Sequence, residues 1–379
     1  MRVFVPRETH AGELRVPLIP ETVARLVKKG AEVVIEAGMG LPSGHLDTAY
    51  QDAGASVEAD RLGELAKADM AVRIRKPSVE EVRCMRRGGI HISFLDPFNE
   101  AALIDAMVET GISAVSMEMI PRTTRAQKMD ALSSQANLAG YVAVIVAAER
   151  LRQAFPMMMT PAGTIKPSRV FVIGAGVAGL QAIATAKRLG ARVDAFDTRP
   201  IVEEQVLSLG AKFVKVDLGE TGQTKDGYAK ELTPEQQRLQ REAMAKVCAQ
   251  SDVVITTAKL FGKKAPIIVT REMIGQMKPG SVVVDLAVES GGNVEGIELD
   301  RELEINGVRL MGLTNMESRV AVHASQMYSS NLGSLIEDFW DKDTNAFKLK
   351  MEDEIIKGCL VTHDGAIVNQ MLKQVLGKA

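Results

Sequence analysis

Residues Arg169–Asp197 read RVFVIGAGVAGLQAIATAKRLGARVDAFD, and the fold follows from this stretch. Val170, Phe171, Val172 and Ile173 form an apolar run rich in β-branched residues, the composition of a parallel strand buried on both faces. A glycine turn follows at once. Gly174, Gly176 and Gly179 make G-x-G-x-x-G: the first permits the tight turn, the second lets the backbone approach a pyrophosphate, and the third lets helix and strand pack closely. Ala178, Leu180, Ala182, Ile183, Ala186 and Leu189 then give a helix its apolar face, the helix N-terminus offers N–H groups to phosphate, and Gly190 ends it. Val193, Ala195 and Phe196 make a second strand.

Asp197 closes that strand about 20 residues beyond the glycines, where a carboxylate accepts hydrogen bonds from both hydroxyls of an adenosine ribose and repels a 2′-phosphate. Glycines, flanking strands, helix and terminal acid in one unit imply a bound dinucleotide; the bland alternative is a Rossmann-like unit without a ligand. Arg199 could welcome NADP, but with Asp197 ahead of it the pattern favours NAD.

Composition sets the outer bounds. A chain of 379 residues is ample for two domains. Formal net charge is −2, aromatics make up 4%, and no basic run occurs, which argues against nucleic acid as a partner. Cys84, Cys248 and Cys359 are scattered, without C-x-x-C spacing, pointing to a reducing compartment and away from a disulfide framework or a zinc site. The N-terminus MRVFVPRETH starts directly with a strand and lacks the features of a signal peptide. No stretch approaches ~18 uninterrupted apolar residues, so no direct membrane span is expected. The cluster Met157–Met159 reads as adaptable core or interface filler.

In chain order, apolar runs at Val3–Val5, Glu32–Glu36, Ala71–Ile74, Ile90–Leu95 and Ser113–Met117 alternate with helical patterns, giving a first α/β domain with no phosphate-binding turn. The polar segment Ile120–Asn137 reads as a loop leading into a long helix over Leu138–Phe155. After the glycine unit, strands are expected at Lys212–Val216, Val253–Thr256, Val282–Asp285 and, last of the sheet, Val308–Met311. Residues 217–233 are glycine- and charge-rich without periodicity, a candidate mobile loop. A second long helix, Ser318–Trp340, returns the chain to the first domain. The expected architecture is therefore α/β, two Rossmann-like domains with parallel sheets, separated by a cleft and joined by two long helices. The domains would be 1–137 plus 327–379, discontinuous, and 138–326.

Several blocks together carry a family resemblance over essentially the whole chain: RAQKMDALSSQANLAGY (Arg125–Tyr141), AFPMMMTPAGTI (Ala154–Ile165), IGAGVAGLQAIATAKRLGA (Ile173–Ala191), GYAKE (Gly227–Glu231) and MKPGSVVVDLAVESGGN (Met277–Asn293). The chain resembles the NAD(H)-binding components of proton-translocating NAD(P) transhydrogenases and, more distantly, alanine dehydrogenase. By that resemblance Arg122, Gln127, Asp130 and Ser133 meet the nicotinamide, and a short run of Arg, Gln, Asp and Ser does supply the donors and acceptors its carboxamide and ribose need. A solvated loop held by an Arg–Asp pair is the alternative reading. Ala175, Gly176 and Val177 fall on the pyrophosphate turn, with Asp197, Thr198 and Arg199 at the adenosine end. Gly227, Gln240 and Ala258 match cofactor contacts, Tyr228 lies on the mobile loop, and Lys259 departs from the apolar residue expected there.

The resemblance further implies NADP(H) on a partner subunit, separate membrane-spanning subunits, a homodimer, and a peripheral place on the cytoplasmic face of the membrane. Oxidation of an amino acid would need a general acid/base and cations for the substrate carboxylate. Asp96, Glu289 and Arg75 stand where alanine dehydrogenase has its histidine, aspartate and lysine, while the carboxylate-binding arginine persists as Arg15. His91, on an apolar strand, reads as a core residue. A soluble amino-acid dehydrogenase and a non-catalytic NAD-binding protein remain the alternatives.

Overall fold

The computed structural model describes residues 1–219, 221–222, 232–260 and 262–377. The chain forms two compact units, Met1–Gln135 with Ser318–Ala379, and Ala136–Glu317.

The first unit is built on an eight-stranded sheet. From one edge to the other its strands are Ala366–Ile367, Leu360–His363, Ser113–Ser116, Ile90–Ser93, Met70–Val72, Arg2–Val5, Glu32–Glu36 and Ser56–Glu58. The six strands from the N-terminal portion run parallel; the two from the C-terminus are antiparallel. Val3, Phe4, Val34, Ile35, Val72 and Ile92 are wholly buried, as a parallel sheet covered on both faces requires. Local caps set the helices. Ser78 and Glu81 form a reciprocal capping box at Val79–Cys84, which satisfies two N–H groups the first turn would otherwise leave unpaired.

The C-terminal return begins at Ser318, earlier than the expected 327, for a visible reason. Ser318, Ser325 and Ser329 accept hydrogen bonds from the backbone N–H groups of Leu14, Val16 and Ile19, so the helix Ala321–Asp338 lies within this first unit.

The second unit carries a seven-stranded sheet in the order Lys212–Phe213, Arg192–Phe196, Arg169–Ile173, Val253–Thr256, Val282–Asp285, Val308–Gly312 and Arg301–Ile305. Six strands are parallel, and Val308–Gly312 is the last of them in chain order, as expected; the antiparallel edge strand Arg301–Ile305 beside it was not expected. The chain leaves Arg169–Ile173 to one side and later returns to pair on its other side. That reversal makes the C-terminal end of this strand the topological switch point, where doubly wound sheets bind ligands.

Two further expectations are corrected. The long helix spans Ala131–Arg150 instead of Leu138–Phe155, because Asp130 caps it: its carboxylate accepts from Ser133 N at 2.9 Å and Ser133 Oγ at 2.6 Å. By length and composition alone this 20-residue helix could cross a membrane, with mean hydropathy 1.4 over an 18-residue window, yet Val142, Ala143, Val144, Val146 and Ala147 are buried as in a core helix. The methionine cluster, expected as core or interface filler, is exposed, which removes the core half of that reading. It leads into an exposed hairpin, Met158–Thr160 with Gly163–Ile165, on which Met159 is 79% exposed.

Candidate functional site

The glycine turn sits at the switch point, and the space around each glycine explains its presence. Gly174 has φ +96°, and a Cβ there would lie 2.6 Å from Thr257 Oγ1 and 3.2 Å from Ala258 N. At Gly179 a Cβ would meet the Gly174 carbonyl oxygen at 1.8 Å. Gly176 differs: the nearest atom to its Cβ position is Arg199 Nη2 at 3.9 Å, so open space lies over the turn. Gly176 is also the N-cap of the helix Val177–Arg188, and among the described residues no side chain caps it. Its first-turn N–H groups are left for an anion, and the residues fit a dinucleotide pyrophosphate in chemistry and in shape.

Thr257 Oγ1 donates to Gly174 O at 3.0 Å and ties the turn to the neighbouring strand. Beyond it, Asn293 grips Ala258 from both sides. Ala258 N donates to Asn293 Oδ1 at 3.0 Å, and Asn293 Nδ2 donates to Ala258 O and Pro266 O, each at 2.9 Å. Asn293 is in turn held by Asp285, a fully buried carboxylate that accepts from Thr256 Oγ1, Ala287 N, Asn293 N and Val294 N. Burial drives the Asp285 pKa up, and these four donors oppose it. Sequence reasoning missed both residues, although polar side chains in the apolar block Met277–Asn293 were the available signal.

Gly140 was missed as well. A Cβ there would lie 2.1 Å from Ala178 O, so the long helix can pass the glycine-turn helix only at a glycine. A lone glycine in an apolar helical pattern was its signal.

At the adenosine end, Asp197 is buried and accepts four hydrogen bonds. Ala175 N (2.7 Å) and Arg199 Nη2 (2.8 Å) donate to Oδ2; Arg199 N (2.8 Å) and Arg199 Nε (2.9 Å) donate to Oδ1. Thr198 O accepts from Thr221 Oγ1, Gln240 is buried on the helix Pro234–Gln250, and Lys259 is exposed. Gly227, Tyr228 and most of the segment 217–233 lie outside the described residues.

The remaining candidates belong to the first unit. Arg122 and Gln127 are exposed, while Asp130 and Ser133 form the helix start. Their segment is anchored by the buried Ala126 and Met129, by Arg125 and Lys128 paired with Asp338, and by Asn331 Nδ2 donating to Lys128 O.

Of the residues of the alanine dehydrogenase comparison, Arg15, Arg75 and Asp96 are tied into structure. Arg15 is buried, donates from Nε and Nη2 to Glu13 and from Nη1 to Gln135 Oε1, and Arg75 Nε donates to the same Glu13. Burial opposes the Glu13 charge, but Arg15, Arg75 and Ser318 overcome it and hold the carboxyl at about 2. Asp96 has φ +53° and donates its N–H to Glu118; Glu289 is exposed. His91 is fully buried, bonded through Nε2 to Ser93 Oγ, and lowered to about 3 by burial and the Arg73 charge. It is a neutral core residue.

A doubly wound sheet with a glycine turn at its switch point, in one chain with a second parallel α/β unit, defines a two-domain α/β protein of the Rossmann class. The chain belongs to the alanine dehydrogenase/PNT family: residues 4–139 match the N-terminal domain and residues 143–370 the C-terminal domain. It is 45% identical over 379 residues to an NAD(P) transhydrogenase subunit alpha chain of Rhodospirillum rubrum, with 98% of this chain and 99% of that one covered. A crystal structure of transhydrogenase from Sinorhizobium meliloti is 46% identical and superposes with a TM-score of 0.87, covering 97% of this chain and 100% of that one. Alanine dehydrogenase of Halomonas elongata is more distant, at 27% identity over 384 residues, covering 100% of this chain and 97% of its own.

Proposed function

We propose that this chain is the NAD(H)-binding subunit of a proton-translocating NAD(P) transhydrogenase and presents NADH for direct hydride transfer to NADP⁺ held by a partner subunit. The observation that carries the reading is the uncapped helix behind Gly174, Gly176 and Gly179, with space left over Gly176, in a chain similar from end to end to transhydrogenase alpha subunits. The dihydronicotinamide supplies the hydride when bound. This chain's contribution is position. The turn Ala175–Val177 holds the pyrophosphate, Asp197, Thr198 and Arg199 the adenosine end, and Ala258 and Lys259 lie where the cofactor crosses the sheet, with Gly227, Tyr228 and Gln240 assigned to the same cofactor. Arg122, Gln127, Asp130 and Ser133 orient the nicotinamide ring; hydride passing directly between two nicotinamides requires no proton abstraction at the reacting carbon, so orientation is the main catalytic task. The same reading gives separate membrane-spanning and NADP(H)-binding subunits, a homodimer, Re/Si-specific transfer coupled to proton movement, and a peripheral place on the cytoplasmic face of the membrane.

The test is to mix the purified chain with the NADP(H)-binding component of a transhydrogenase and follow transfer from NADH to an NADP⁺ analogue, with pyruvate plus ammonium as a parallel assay. Transfer that requires the partner supports the proposal. Turnover of pyruvate by the chain alone makes it an amino-acid dehydrogenase, and NADH binding without any transfer makes it a non-catalytic NAD-binding protein.

Two substitutions refine the assignment. Asp197→Ala removes a charged acceptor and is expected to weaken NADH binding by ~1–3 kcal/mol; titration of NADH fluorescence measures it, and unchanged affinity would put the ribose elsewhere. Gln127→Asn shortens a side chain by one methylene. Hydride transfer should fall by about tenfold or more while NADH affinity barely moves, because the ring is misplaced and the adenosine anchor is not. An equal loss in both would remove Gln127 from the nicotinamide site.

A further inference from the structure

The Asp197 carboxylate poses a problem for the cofactor it is meant to receive. An ionised carboxylate offers about four lone-pair sites. All four have donors here: Ala175 N, Arg199 N, Arg199 Nε and Arg199 Nη2. Ribose hydroxyls can be accepted only if a donor leaves. Two of the four are backbone groups fixed by the glycine turn and by the chain after the strand. The two guanidinium bonds are the ones that can go, by rotation of one side chain. Arg199 is partly open to solvent, with 14% of its side chain exposed against 6% for Asp197, so an exit exists.

One of the two departing nitrogens indicates where the guanidinium would go. Arg199 Nη2 is the nearest atom to the open Cβ position of Gly176, at 3.9 Å. Gly176 caps the helix whose N-terminus is suited to a pyrophosphate. The cation therefore stands between the ribose acceptor and the phosphate cradle, bonded to the first and beside the second.

We infer that Arg199 exchanges partners when the cofactor binds: its guanidinium leaves Asp197, the two ribose hydroxyls take its place on the carboxylate, and the guanidinium moves to the pyrophosphate. The inference rests on the NAD(H) reading above and adds a role to a residue of the same site. In the empty chain the pair keeps Asp197 neutralised. In the loaded chain the same charge offsets the phosphates, so no buried carboxylate is left without donors in either state.

The exchange makes Arg199 a competitor of the ribose and an ally of the phosphates, and ligands that carry one or the other separate the two effects. The full chain and its Arg199→Ala variant are titrated with adenosine, which has the ribose and no phosphate, with ADP-ribose and with NADH. Adenosine is expected to bind several-fold tighter to the variant, because its competitor for Asp197 is gone. ADP-ribose and NADH should bind about tenfold weaker, the cost of one charged contact. Arg199→Lys, which restores a point charge without the planar fork, should recover most of the ADP-ribose affinity. In an Asp197→Asn background the gain for adenosine should disappear. Thermal midpoints of all variants show whether folding is intact, and Arg199→Gln serves in place of the alanine variant if it is not.

Weaker or unchanged adenosine binding by a folded variant overturns the exchange, since Arg199 then does not compete for the ribose acceptor. Tighter binding of both adenosine and ADP-ribose overturns the transfer to phosphate. If the unsubstituted chain binds ADP-ribose and NADH and only these signs differ from expectation, the NAD(H) reading stands and the exchange falls. If the unsubstituted chain binds none of the three ligands, the NAD(H) reading falls and the exchange with it.

Discussion

Gly179→Ala is expected to lower NADH affinity by at least about 100-fold, roughly 3 kcal/mol, and to reduce the thermal midpoint of the second unit. One methyl group has this effect because of what it meets. Its Cβ would lie 1.8 Å from the Gly174 carbonyl oxygen and 2.8 Å from that carbonyl carbon. Both are backbone atoms, so no rotamer change relieves the clash. The helix would have to lift off the strand and carry the N–H groups at its start out of line with the phosphate. Gly176→Ala provides the contrast. Its backbone φ of −78° suits any residue, and the nearest atom to the new methyl is at 3.9 Å. That variant should keep the thermal midpoint of the native chain and still lose NADH, because the methyl enters the phosphate's space. Equal NADH affinity in Gly176→Ala and the native chain would mean that no phosphate approaches the turn.

Glu13→Ala is expected to destabilise the first unit by about 3–5 kcal/mol, the usual penalty for removing one partner of a buried ion pair. For a unit of this size that is a fall of roughly 6–20 °C in the thermal midpoint. Glu13 accepts from Arg15 Nε and Nη2, Arg75 Nε and Ser318 Oγ, and its loss leaves the buried Arg15 cation with only the Gln135 amide oxygen among these partners. The same cluster gives a pH signature. With its folded pKa held at about 2 against an ordinary 4.5, the unfolded chain takes up this proton first, so the stability Glu13 contributes is full above 4.5 and is lost as pH falls toward 2. Glu13→Gln should flatten the acid limb of the stability curve in that window. Acid unfolding indistinguishable from the native chain's would show that the pair carries no linkage.

How much of this was legible beforehand depended on the range of the interactions involved. Apolar β-branched runs such as Val170–Ile173 and Val282–Val284 announced buried parallel strands, and the glycine spacing marked the turn, because both signals are local. The start of the long helix was hidden. Ser133, Ser134, Gln135 and Asn137 look like loop residues, and what makes them helical is Asp130 as cap together with remote partners such as Asn331, Arg15 and Ala324 O. The edge strand Arg301–Ile305 is half polar and so carried little apolar signal. The first strand of the exposed hairpin, with Met159, had the composition of core without its burial. At the site itself the residue types were readable, but the saturation of Asp197 was not, since it depends on the rotamer of Arg199.

The serine ties between the N-terminal segment and the helix Ala321–Asp338 bear on the order of events during synthesis. The strands of Met1–Gln135 leave the ribosome first, yet the hydroxyls that satisfy Leu14, Val16 and Ile19 and the strand Leu360–His363 that covers Ser113–Ser116 leave last. The nascent first unit must wait, with an open sheet edge, while the whole of Ala136–Glu317 is made and can close on itself. The unit encoded in the middle can therefore mature first, and the time its predecessor spends unfinished is the interval in which chaperone contact or aggregation would act on this chain.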